Sequence, residues 1–143
     1  MPTAAIIGGG VIGSAWASRC LLNGWEVRFH DPAPNSEAVL NKVLDKARRW
    51  VPEVYDRLPA EGTLTLCTSI ADAVSGADWV QESTPERLEI KQAVLAEIQG
   101  SCAVEAIVAS STSGFMPSEL QAGSARPEQI LVAHPYNPVY LLP

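Results

Sequence analysis

Short apolar runs alternate with longer, helix-spaced stretches from one end of the chain to the other. Ala4 to Ile7 is apolar throughout and breaks on a run of glycines, Gly8 to Gly10. Val11 to Asn23 is apolar on nearly every side, as a helix covered by neighbours should be, and Asn23-Gly24 gives it a C-terminal stop. Trp25 to His30 reads as a second strand. Asp31-Pro32-Ala33-Pro34 is a stiff loop, and Asn35 or Ser36 can cap a helix that runs to about Trp50, before Pro52. Thr63 to Thr68 is a third strand. Ser69 or Asp72 starts a short helix ending near Gly76, and Ala77 to Glu82 is a fourth strand. Pro85 opens a helix over Glu86 to Gln99, with Gly100 past its end. Ala103 to Ala109 is a fifth strand, Pro117 to Leu120 one helical turn, and Gln129 to His134 a sixth strand.

Strands that alternate with helices and are apolar on both faces specify a parallel sheet with helices on each side. The expected fold class is therefore α/β, a doubly wound, mostly parallel sheet. No internal repeat or low-complexity segment interrupts it, and Ala122 to Glu128 is the nearest thing to a linker. Residues 1–143 read as one domain, long enough for a real core.

The first strand, turn and helix carry the most specific pattern. Gly8, Gly10 and Gly13 stand in G-x-G-x-x-G spacing. Gly8 allows a tight turn, Gly10 lets a pyrophosphate approach the backbone, and Gly13 lets the helix pack close to the strand. The free N–H groups and positive end of the helix dipole then form an anion site. Asp31, at the end of the second strand, can accept hydrogen bonds from both ribose hydroxyls, and its charge opposes a 2′-phosphate. That favours NAD over NADP and makes the expected fold Rossmann-type. The candidate cofactor-binding set is Gly8, Gly9, Gly10, Val11, Ile12, Gly13 and Asp31.

Composition narrows the function. The formal charge is −6 and the pI near 4.8, against nucleic-acid binding. No apolar run is long enough to cross a bilayer, and Met1-Pro2-Thr3 leads straight into the first strand, so no signal peptide is expected. Cys20, Cys67 and Cys102 fit no metal spacing and read as buried free thiols of a cytoplasmic protein; no metal is expected. The basic cluster Lys42, Lys46, Arg48 and Arg49 reads as a solvated helix face, or as contact for an anionic substrate.

Three further stretches could carry chemistry. On the helix after Pro85, Lys91 and Arg87 fall within an apolar face at its N-terminal end, an i, i+4 like-charge pair without an evident counter-charge. Either they snorkel to water or, near the carboxyl ends of the strands, Lys91 and Glu86 meet a ligand. Ala109-Ser110-Ser111-Thr112-Ser113-Gly114 puts four hydroxyl side chains where a crevice should open. His134, in His134-Pro135-Tyr136-Asn137-Pro138, follows the sixth strand, and an imidazole there can take and return a proton at neutral pH.

These blocks together resemble the N-terminal NAD-binding domain of the 3-hydroxyacyl-CoA dehydrogenase superfamily, over the whole chain. The matching stretches are Gly8 to Gly13, Pro85 to Lys91, Ser110 to Ser113 and His134 to Pro138. Gln81 to Glu89 and His134 to Pro143 look most like the branch that oxidises L-carnitine. The resemblance implies NAD-dependent oxidation of a 3-hydroxy group, with L-carnitine, a 3-hydroxyacyl-CoA or another small 3-hydroxy acid as substrate. It implies that His134 takes the hydroxyl proton, Ser113 holds that hydroxyl, and Asn137 lines the same crevice. Glu86 and Lys91 would contact the ribose and nicotinamide end of NAD. Tyr136, Tyr140 and Phe115 are candidates to face a trimethylammonium group. Ser111 stands where the acyl-CoA branch often has Asn, which leans away from a CoA substrate. The resemblance also implies a glutamate beyond the histidine block and a helical C-terminal domain that completes the substrate site and the dimer. The chain stops at Pro143, before those positions, so the expectation is a domain cut before the end of its sheet that binds NAD with negligible turnover. A non-catalytic NAD-binding module is the reading from another class.

Overall fold

The structure is a computed structural model that describes residues 1–142. Pro143, the last residue of the carnitine-like block, lies outside the described residues. Its strands are β1 (Thr3–Ile7), β2 (Glu26–His30), β3 (Leu64–Leu66), β4 (Trp79–Glu82), β5 (Ile107–Ser110) and β6 (Ile130–Val132). Its α-helices are α1 (Val11–Leu22), α2 (Ser36–Trp50), α3 (Ile70–Val74), α4 (Leu88–Ser101) and α5 (Pro117–Gln121). The strands form one sheet in the order β3-β2-β1-β4-β5-β6, with every neighbouring pair parallel. The order reverses between β1 and β4, which is where a crevice opens at the carboxyl ends of the strands in such sheets.

β1 is buried on both faces, and its alternating side chains divide the core. Ala4 and Ile6 pack with Leu21, Val27, Phe29, Leu40 and Leu44 under α1 and α2. Ala5 and Ile7 pack with Ile70, Val80, Leu95, Ile98 and Val108 under α3 and α4. α1 is enclosed on most sides, as its composition requires; α2 is amphipathic, with Leu40, Leu44 and Ala47 inward. The Lys42, Lys46, Arg48 and Arg49 cluster is on the exposed side of α2, where Arg48 pairs with Glu61 at 2.7 Å. The edge strand β3 is an exception to the apolar-on-both-faces pattern: short and half exposed.

Several boundaries differ from the sequence expectation, each for a local reason. Pro85 to Arg87 form a turn, closed by the Arg87 N–H on the Pro85 carbonyl at 2.7 Å, so α4 starts at Leu88. Ala103 to Ala106 also turn, with the Ala106 N–H on the Ala103 carbonyl at 3.2 Å, and β5 begins only at Ile107. β6 stops at Val132, and Pro135 has no N–H with which to extend the ladder. His134 is therefore on a loop. Of the cysteines only Cys20 is buried; Cys67 and Cys102 are half-buried, packed against the outside of the core. Burial pushes the Cys20 thiol up to about 12, against a smaller opposing pull from Arg19, so it stays protonated at neutral pH.

At the amino ends of the strands, Trp16, Trp25 and Trp79 line a cavity of about 290 Å³. The Trp16 and Trp79 ring centroids are 6.4 Å apart, and Trp79 Nε1 donates to Gln81 Oε1 at 3.0 Å. The buried Trp16 Nε1 has no hydrogen-bond partner among the described residues. Trp50 is half exposed, with the Arg49 guanidinium 5.0 Å from its ring centroid.

Candidate active site

The glycine turn has a distinct structural demand at each position. Gly8 has φ +103°, a left-handed conformation that favours glycine, and a β-carbon there would sit 2.6 Å from the Ser83 carbonyl. A β-carbon on Gly13 would lie 1.8 Å from the Gly8 carbonyl oxygen, so α1 reaches β1 only because that atom is missing. A β-carbon on Gly10 would meet nothing within 4 Å: the space above it is open. Gly10 is the N-cap of α1, makes no side-chain cap, and is followed by no acidic residue in the first turn. The first N–H groups of α1 have no carbonyl of their own helix to bond. Bare N–H groups, a dipole end and open space at one glycine are what an anionic group needs.

Asp31 lies beside this turn. Its Oδ2 accepts the Gly9 N–H and its Oδ1 accepts the Ala33 N–H at 2.6 Å. The two bonds hold the carboxylate at the rim of a cleft of about 670 Å³ that also takes in Gly8 to Gly10, Ser36, Thr84 and Ile90. Val11 is exposed and Ile12 half-buried at the start of α1. Gly8 to Gly10 and Asp31 thus line one mouth, with Gly13 buried behind them in α1.

The hydroxyl loop closes the next stretch of the sheet edge. Glu86, exposed ahead of α4, accepts the Thr112 hydroxyl and the Ser113 and Gly114 N–H groups, the last two at 3.4 Å. Desolvation pushes its carboxyl up, but the Thr112 hydroxyl, the Ser113 N–H, the Lys91 charge and the Gly114 N–H outweigh it. Glu86 therefore titrates below its ordinary 4.5. A carboxyl lowered on folding supports the structure above its ordinary value, and that support is lost as pH falls through the lowered one. The Ser113 and Gly114 amide resonances are expected to shift together with a midpoint below 4.5, and Thr112→Val should raise that midpoint. An NMR acid titration checks both.

Ser113 Oγ is 3.0 Å from His134 Nε2. Loops after β5 and β6 bring the pair together, both exposed to solvent. The Tyr136 and His134 rings meet in a T-shaped arrangement with centroids 5.6 Å apart, and Tyr136 is exposed. Asn137 is exposed on the same loop.

Other expected site residues lie elsewhere. Lys91 does not snorkel and does not open to the cleft: it is 1% exposed, with its ammonium on the equally buried Glu82 at 2.9 Å. The counter-charge missing from its helix is on β4. Arg87 is exposed as the α4 cap. Tyr140 packs with Leu22, Ala47 and Val51 over α1 and α2, and Phe115 packs on the core; of the three aromatic candidates only Tyr136 is beside His134. Among the described residues no His/Cys/Asp/Glu group could hold a metal ion, and no helix is long and apolar enough to cross a membrane.

Sequence spacing alone misses Glu82. The available signal was an acid ending an apolar strand and a lysine on an apolar helix face, two anomalies that answer each other.

Comparison with known proteins identifies the family. The family model described as 3-hydroxyacyl-CoA dehydrogenase, NAD binding domain, matches residues 3–143. An L-carnitine dehydrogenase/betainyl-CoA thioesterase of Ruegeria pomeroyi is 58% identical over 100% of this chain and 30% of its own length. An L-carnitine dehydrogenase of Oceanobacillus iheyensis is 46% identical, over 100% of this chain and 47% of its own. Among solved structures, an NAD+-dependent 5-formyl-3-hydroxy-2-methylpyridine 4-carboxylic acid 5-dehydrogenase aligns with TM-score 0.90 and 36% identity, covering 100% of this chain and 47% of that one. The chain thus spans less than half the length of each of these relatives.

Proposed function

The chain belongs to the 3-hydroxyacyl-CoA dehydrogenase family, in its NAD binding domain, and on that footing we propose that it is the cofactor-binding part of an NAD-dependent oxidoreductase acting on a 3-hydroxy group, with L-carnitine the foremost substrate. The observation that carries this reading is the Ser113–His134 contact of 3.0 Å at the same sheet edge as the bare glycine turn.

The residues present fit a dinucleotide. The open space over Gly10 and the N–H groups of Val11, Ile12 and Gly13 would take the pyrophosphate. Asp31, with lone pairs to spare beyond its two N–H partners, would take the ribose hydroxyls and disfavour a 2′-phosphate. Glu86 would face the other end of the cofactor. When bound, NAD supplies the hydride acceptor.

His134 Nε2 takes the proton of the substrate hydroxyl as the hydride leaves the same carbon, so the carbinol becomes a carbonyl and one proton stays on the imidazole. Ser113 Oγ, already within hydrogen-bond reach of that nitrogen, holds the hydroxyl between them. The ring face of Tyr136 offers a trimethylammonium group a cation–π surface beside the reacting pair, which supports L-carnitine over an acyl-CoA.

Isothermal calorimetry is expected to show NAD binding, with NADP much weaker. Gly10→Ala should fold like the parent and lose at least about tenfold in NAD affinity, because its methyl occupies the space a diphosphate needs. A competition panel of L-carnitine against 3-hydroxybutyryl-CoA on the NAD complex tests the substrate. Absence of NAD binding would sink the function, and preference for the CoA thioester would sink the carnitine assignment.

A further inference from the structure

Glu82 ends β4 wholly buried, and Lys91 on α4 is buried against it. Neither lines the cofactor cleft itself, but both bond to Thr84, which does. A buried ion pair gives little net stability over apolar residues of the same size, so this one calls for another role. Its hydrogen bonds supply it. Glu82 Oε1 accepts Lys91 Nζ at 2.9 Å, the Thr84 N–H at 2.7 Å and the Thr84 hydroxyl at 2.6 Å. Oε2 accepts Lys91 Nζ at 3.2 Å and the Ser110 hydroxyl. Lys91 Nζ also donates to the Thr84 carbonyl at 3.1 Å, which engages all three ammonium donors within the protein.

Ser110 passes this order outward in two directions. Its Oγ accepts the Thr112 N–H at 3.2 Å, next to Ser113. Its carbonyl accepts the Ala133 N–H at 2.9 Å, next to His134. One side chain and one carbonyl of a single residue thus link the ion pair to both members of the reacting pair.

We propose that Glu82 and Lys91 are positioning residues: through Ser110 they fix where Ser113 and His134 stand relative to each other. Glu82 does this as the acceptor of five hydrogen bonds, two of them from Lys91. The catalytic consequence rests on reading Ser113 and His134 as the reacting pair, but the geometry can be measured without it.

The test uses the 143-residue chain without cofactor, followed by amide hydrogen exchange and by the ring-nitrogen resonances of His134. Ser110→Ala leaves the ion pair and the Ser110 carbonyl in place and removes the side-chain link to the Thr112 N–H. Glu82→Leu with Lys91→Met removes both charges together and leaves neither one stranded. Both variants are expected to melt cooperatively, to exchange the Thr112 to Gly114 amides at least about tenfold faster, and to shift the His134 ring nitrogens. A purely structural pair would leave those local signals alone. Either variant, folded and with exchange and ring resonances unchanged, overturns the proposal. If the double variant does not fold, Ser110→Ala decides it. NAD titration of the parent chain is read separately: failure to bind would count against the proposed function and leave the exchange result standing.

Discussion

Gly13→Ala is expected to abolish NAD binding and to destabilise the chain by about 1–3 kcal/mol or more. The added methyl would lie 1.8 Å from the Gly8 carbonyl oxygen, and the obstacle is backbone. No rotamer change can relieve it, so α1 must lift away from β1. That movement unpacks Ala17 and Leu21 from Ile6 and carries the first N–H groups of α1 off the cleft. Stability and binding fail together. Gly10→Ala is the contrast, since a methyl there meets no protein atom and only binding should suffer. A thermal melt beside a calorimetric NAD titration, run on both variants, separates the two roles. A Gly13→Ala chain with parental melting and parental NAD affinity would overturn this account of the turn.

Lys91→Met alone is expected to cost about 3–5 kcal/mol, because it leaves the Glu82 carboxylate buried without its charge partner. Against a typical total of about 5–15 kcal/mol, that is a large share. Urea unfolding should show a lower midpoint with an unchanged slope. The sequence-based picture, in which Lys91 reaches out to a ligand, predicts weaker binding with little loss of stability. The two outcomes are opposite in what they spare.

The fold was legible because its signals are local. The strand–glycine–helix pattern, the capping residues and the prolines each act within a few positions, and they placed all six strands and their parallel arrangement. The glycine positions were legible in more detail, since each spacing carries a separate steric demand that the structure meets at Gly8 and Gly13. Lys91 shows where such reasoning ends. Helical spacing reports what lies three or four residues away, whereas its partner Glu82 is on a strand beneath the helix. Tyr140 shows the same limit, since its neighbours Leu22 and Val51 are remote in sequence. Helix and strand ends shifted where a turn claimed the first residues, as at Pro85 and Ala103.

Trp16, Trp25 and Trp79 cluster at the amino ends of the strands, opposite the cleft, while Trp50 is half exposed on its own helix. Ultraviolet emission from this chain therefore reports chiefly on one end of the sheet. Unfolding followed by emission and by far-ultraviolet dichroism should give one superimposable curve if the sheet opens as a unit. If the glycine end frays first, the dichroism signal will fall while the indole light holds steady, and the lag between them times the event.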